Sequence, residues 1–116
     1  MKENKNNLPT VTLGNQYVER VRTYAVLGYS RERVARLIGL PRAETKVLII
    51  RLSLPGDEYY EAYESGIASG EMNIDSELAR QAENGDTDAI EMLEERKNDR
   101  YFKDLRKELF GIMLEI

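Results

Sequence analysis

Between positions 42 and 46 the chain sets Arg42, Thr45 and Lys46 close together, in a segment rich in arginine. A guanidinium pairs with phosphate oxygens as a planar fork, and an ammonium does so as a point charge. Either can also reach base edges in a groove, as a hydroxyl can. The chemistry these residues suggest is recognition of duplex DNA, with no bond made or broken. The other common chemistries lack their residues. The 116-residue chain has no cysteine and no histidine. Disulfides, zinc–thiolate sites and thiol nucleophiles are therefore excluded, and the commonest general base and transition-metal ligand are missing.

The sequences GxxxxGK[ST], GxSxG and GxGxxG are absent, so no nucleotide loop or nucleophile elbow is evident. Asp86, Asp88 and Glu91 could in principle hold Mg²⁺. All three open one expected helix, where capping and the helix dipole already account for them. Tyr17, Tyr24, Tyr60 and Tyr63 fall on apolar helical faces and are expected in a core with the hydroxyl at its rim. A non-catalytic protein without metal or cofactor is expected.

Two short helices must position the basic residues. In Arg31–Ile38, Val34, Leu37 and Ile38 share one face. Ser30 is placed to cap its start and Gly39 to end it in the left-handed conformation. Ala35, four residues before Gly39, leaves room for a second helix to pass closely. Pro41 suits the first turn of that helix, residues 42–53. There Val47, Leu48, Ile50 and Leu52 are expected inward, with Arg42, Thr45, Lys46 and Ile49 outward. This is the plan of a helix-turn-helix whose second helix enters the major groove. A preceding helix, 16–27, capped by Asn15 and ended by Gly28, completes a three-helix unit over 15–54.

Charge supports the placement. Residues 1–56 hold 10 Lys/Arg against 4 Asp/Glu, or +6, whereas residues 57–116 hold 7 against 17, or −10. The net charge of −4 is thus an average over unlike halves, and the cations lie where phosphates would need them. Residues 1–14 are expected to be a flexible arm. Leu54-Pro55-Gly56-Asp57 marks a boundary, with Asp57 able to cap the next helix.

A long helix is expected over 58–84, with Tyr60, Tyr63, Ile67, Ile74, Leu78 and Ala82 inward. Gly66 and Gly70 within it would let another helix approach closely and could allow a bend. Shorter helices follow at 87–97, burying Ala89, Ile90 and Leu93, and at 100–110, burying Tyr101, Phe102, Leu105 and Leu109. Asn98-Asp99 separates them and Gly111 ends the second. Residues 112–116 form an apolar tail that packs on the body or docks a partner. The expected fold is all-α. The N-terminus does not read as a signal peptide, and no apolar run is long enough to span a membrane, so a cytoplasmic protein is expected.

The order of parts resembles the small terminase subunits of tailed phages and prophages. The likeness runs over about residues 16–97. It is carried by GYSRERVARLIGLPRAET, the Pro-Gly link, the run Tyr63-Glu-Ser-Gly66, the Leu78-Ala79 pair and the Ala82…Gly85-Asp86…Ala89 group. The sequence departs from that pattern at Thr45, where an apolar residue is usual, and at Val47-Leu48-Ile49-Ile50, which replaces an aromatic-rich end.

The resemblance implies a protein that recognises viral DNA for packaging, assembles as a homo-oligomer and delivers double-stranded DNA to a large ATPase/nuclease subunit in the bacterial host cell. It implies that Arg42, Thr45 and Lys46 contact DNA, with Arg31, Arg33 and Arg36 on phosphates. Residues 57–111 would form the oligomerisation unit and the tail a dock for the large subunit. Two other readings stay open: a helix-turn-helix transcriptional regulator, and a helical protein-interaction adaptor.

Overall fold

The computed structural model describes residues 11–115, and the first part of the expected arm and Ile116 lie outside the described residues. Five helices and no strand occur among the described residues: α1 Val18–Val26, α2 Arg31–Ile38, α3 Arg42–Leu52, α4 Glu58–Glu83 and α5 Thr87–Glu115. The chain divides into two compact units, one up to Glu71 and the other from Met72. The division falls inside α4 and not at the Pro55-Gly56 bend.

In the first unit α2 packs on both α1 and α3. Ser30 Oγ accepts from Arg33 N at 3.2 Å and caps α2, and Gly39, at φ 77°, ends it. The C-terminal half of α4 belongs to the other unit, but its first half completes this core. Tyr59, Ala62 and Tyr63 are buried with Val21, Ala25, Val34, Ala35, Ile38, Leu48 and Leu52. The inward stripe of α4 is thus 59, 62, 63, 66 and 70, with Ile67 packed against the core; Tyr63 and Ile67 lie inward as expected, whereas Tyr60 and Ile74 do not. Ile74 is exposed and Tyr60 half-buried.

The two glycines decide that register. A Cβ on Gly66 would overlap the Arg22 carbonyl oxygen and lie 2.6 Å from the Ala25 Cβ, and one on Gly70 would overlap the Val26 carbonyl oxygen. Hydrogen in place of a methyl lets α1 lie directly on α4. The close approach expected of these glycines is found, and α4 runs through both as one helix.

Polar strapping closes the unit at its N-terminal end. Asp57 Oδ1 accepts from Tyr59 N at 2.8 Å, capping α4 as expected, while Oδ2 accepts from Arg51 Nε at 2.8 Å. Arg51 also donates to Leu13 O at 2.8 Å and Asn15 Oδ1 at 3.1 Å. The Tyr59 hydroxyl donates to Gly14 O at 2.6 Å. Residues 13–15 are therefore fixed, where a loose arm was expected to reach 14. The Asn15 side chain is taken by Arg51 and does not cap α1, which starts at Val18 with no side-chain cap.

The second unit corrects the expectation of two shorter helices. Residues 87–115 form the single helix α5, through both Asn98-Asp99 and Gly111. Asparagine and aspartate are weak helix formers, costing only a fraction of a kcal/mol each, and do not stop a helix by themselves. Here Asp75 of α4 clamps both sides of the weak pair, accepting from Arg96 Nε at 2.6 Å and Arg100 Nη2 at 2.7 Å. Leu78 and Ala89 are buried, but Ile90, Tyr101, Phe102 and Leu109 are exposed, contrary to expectation. Of the expected tail, Ile112, Met113 and Leu114 continue α5 and are exposed. α5, with 29 residues, is far longer than the 72–83 stretch of α4 in its own unit.

Candidate nucleic-acid interface

The six basic-segment residues separate into two groups. Arg31 and Thr45 serve the first unit internally. Arg31 Nε donates to Leu52 O at 2.7 Å, satisfying a carbonyl left open at the end of α3. Its Nη2 pairs with Glu64 Oε2 at 2.6 Å, and its guanidinium lies 4.4 Å from the Tyr63 ring centroid and 5.6 Å from that of Tyr60. Thr45 Oγ1 donates to Leu40 O at 3.0 Å and is half-buried. Thr45 was expected outward; it lies instead on the core side of α3 beside Leu48 and Ile49, where its hydroxyl closes the turn.

Arg33, Arg36, Arg42 and Lys46 are exposed. Arg36, Arg42 and Lys46 make no side-chain hydrogen bond or ion pair with any described residue. Among the described residues the Arg33 side chain stacks on Tyr29, 4.8 Å from the ring centroid. An open groove of about 300 Å³ is lined by Arg33, Arg36 and Leu37. On α3, Arg42 and Lys46 are one turn apart, and Ile50 follows one turn later with 62% of its surface exposed.

Ile50 corrects the sequence reading, which sent it inward and Ile49 outward. Ile49 packs against the core and Ile50 faces out. The reason is the spacing of Leu48 and Leu52, both buried: with Thr45 and Ile49 they make one helical face, and Ile50 lies opposite it. The spacing of 42, 46 and 50 was the signal available for this outward face. Arg51, to which no role was assigned from sequence, turns out to hold the N-terminal strap.

The outward face of α3 can therefore present two cations and one apolar side chain to a partner, with two more cations on α2. Cations without protein partners can neutralise phosphates and release their counterions. An isoleucine can contact a thymine methyl. None of these groups is buried or arranged for proton transfer. Among the described residues no group of three acidic side chains is placed to share a metal ion; Asp86 Oδ1 instead accepts from Ala89 N at 3.1 Å, at the start of α5. No described helix is long and apolar enough to cross a membrane.

No protein-family model matches the chain, and no match was found to a curated protein or a solved structure.

Proposed function

We propose that this chain is a non-catalytic, DNA-binding protein of the small-terminase kind. In this reading α2, the Gly39-Leu40-Pro41 turn and α3 act as a helix-turn-helix. α3 enters the major groove, and Arg33 and Arg36 lie on phosphates. Copies of the chain assemble and present viral DNA to a large ATPase/nuclease subunit in the cytoplasm of a bacterial host.

The observation that carries the DNA reading is the outward pairing of Arg42 and Lys46 on α3. Neither side chain has a partner among the described residues, and both belong to a segment of net charge +6 in a chain of net charge −4. Hydration of the surface alone would not require the cations to gather on this one segment. Arg31 enters the proposal as a positioning residue, because its guanidinium already joins α2, α3 and α4. Thr45 enters as a turn-closing residue beside the DNA-contacting pair.

The test is duplex DNA binding of the full chain, followed by fluorescence anisotropy across a salt series. Arg42→Ala with Lys46→Ala should weaken binding and reduce the slope of log K against log salt by about 2, one for each phosphate no longer neutralised. The melting temperature should stay put. Unchanged affinity and slope would overturn the placement. A wild-type chain with no salt-dependent affinity for duplex DNA would overturn the function and favour an interaction adaptor.

A further inference from the structure

The second half of α5 carries a face that the described residues leave exposed. At 3.6 residues per turn, Tyr101, Phe102, Leu105, Leu109, Ile112 and Met113 fall within about a third of the helix circumference. No polar residue between 101 and 113 falls inside that arc. Five of the six expose more than half their surface, from 52% at Phe102 and Leu109 to 71% at Met113. Arg96 and Arg100, which grip Asp75, lie on the opposite side of the helix. The apolar arc is thus separate from the face that α5 turns to α4. Together these side chains offer on the order of 500 Å² of apolar surface, comparable to the largest patch normally left on a monomer.

The borders of the arc indicate what covers it. Arg106 lies along one edge, with Lys103 behind it; Glu108 lies along the other, with Asp104 behind it. A helix that rests on a membrane carries mainly Lys and Arg on its polar face. This helix carries both signs, sorted to opposite edges, which makes the surface complementary to itself. Two copies side by side and parallel bring the basic edge of one against the acidic edge of the other. Two antiparallel copies in register bring like edges together. In heptad terms Phe102, Leu105, Leu109 and Ile112 occupy the a and d positions, and Arg106 and Glu108 the flanking e and g positions.

We infer that residues 101–113 of α5 dock in parallel on the same segment of a second copy of this chain. The inference deepens the self-association in the proposed function, on which it does not depend for its evidence: its observations lie on α5 alone. The stems of Arg106 and Glu108 extend the buried area toward the roughly 800 Å² per partner of a standard interface. The interface lies at the C-terminal end of the 57–111 segment to which the family resemblance would assign oligomerisation, and runs just past it.

The test begins with the mass of the full chain by sedimentation equilibrium over a wide concentration range. The wild type should show a multiple of 13.4 kDa. Leu109→Glu and Phe102→Glu should each weaken self-association about tenfold or more. Their far-UV circular dichroism at low concentration should match that of the wild type, because neither side chain supports the monomer. The Arg42→Ala, Lys46→Ala variant should associate like the wild type, which separates failure of this inference from failure of the DNA reading. For orientation, Ile112→Cys in a chain otherwise free of cysteine should cross-link to itself on mild oxidation. A mixture of separate Phe102→Cys and Ile112→Cys chains should give no cross-link between the two different variants above background. A wild type that stays at 13.4 kDa throughout would overturn the inference and leave the face to a different protein. Association unaffected by either glutamate would overturn the surface, and preferential cross-linking between the two variants in the mixture would overturn the orientation.

Discussion

Arg51 Nε donates to Asp57 Oδ2 at 2.8 Å, bridging the end of α3 to the start of α4 across the Leu54-Pro55-Gly56 bend. The other carboxylate oxygen caps α4 through Tyr59 N. One aspartate thus fixes the angle at which the last helix of the first unit enters the core. Asp57→Ala removes the cap and leaves the half-buried Arg51 short of its counter-ion. A loss of about 2 kcal/mol is expected in urea unfolding, the cap alone being worth about 1.

Acid should erase the same contribution. Burial pushes the Asp57 carboxyl up, but the Arg51 hydrogen bond, the Tyr59 N–H and the Arg51 charge together hold it below its ordinary value of 3.8. At Asp75 the Arg96 hydrogen bond is the largest influence; burial opposes it, Arg100 adds to it, and the carboxyl again lies below 3.8. A carboxyl lowered in the folded state stabilises fully above its unfolded pKa. That stabilisation is lost as pH falls through the folded value. Thermal melts should therefore hold their midpoint from neutral pH down to about the ordinary carboxylate range and drop below it. The drop should be shallower in Asp57→Asn, whose side chain does not titrate.

Three glycine-to-alanine changes should differ in sign. Alanine favours a helix by about 1 kcal/mol over glycine. At Gly66 and Gly70 the added methyl meets the backbone carbonyl oxygens of Arg22 and Val26, which cannot turn aside as a side chain can. Net destabilisation of about 2 kcal/mol or more is expected at each. At Gly111 the methyl meets nothing within 4 Å, and Gly111→Ala should raise helicity. Equal effects in calorimetry and circular dichroism at all three sites would contradict the packing of α1 on α4.

Two arginines of the basic segment should also part company. Arg31→Ala loses the Leu52 carbonyl, the Glu64 carboxylate and the Tyr63 ring, and should cost about 2 kcal/mol of stability. The Arg42 side chain has no polar partner among the described residues, so Arg42→Ala should stay within about 0.5 kcal/mol of the wild type. Chemical denaturation of the two variants side by side checks the division of labour between holding the fold and facing outward.

Asp75→Ala should loosen the middle of α5. It removes the carboxylate that Arg96 and Arg100 share from either side of Asn98-Asp99, where intrinsic helix preference is weak. Faster amide hydrogen exchange around residues 96–102 is the expected signature, with the α2 and α3 amides unchanged.

Local signals in the sequence were read well where they act through the nearest few residues. Ser30, Gly39 and Asp57 cap or end helices as their types dictate, and the boundaries of α2 and α3 follow from them. Charge marks the basic segment and helical spacing marks Arg42 and Lys46 as outward, where both are exposed; that Arg31 turns inward was not legible. Arg31 differs from Arg42 only through Leu52, Glu64 and Tyr63, the last two more than thirty residues away. The inward register of α4 was legible only in part: Tyr63 and Ile67 face the core as expected, but Tyr59 and Ala62 were not singled out. Tyr60 extends the series of Tyr63 and Ile67, whereas the stripe from Tyr59 runs over two glycines that count as blanks until a neighbouring helix lies on them. At Asn98-Asp99 the weak helix formers predict a stop, and the clamp from Asp75 has no signature in the local sequence.

Tyr59, Ala62 and Tyr63 close the core around Val21, Val34 and Leu48, so the basic head is unfinished until the stretch through Gly70 has left the ribosome. A gene exchange that joined two such chains at the Pro55-Gly56 bend would graft a head with an open core onto foreign closing side chains. The inheritable cassette ends later, inside α4, and a crossover that keeps the head whole falls after Gly70.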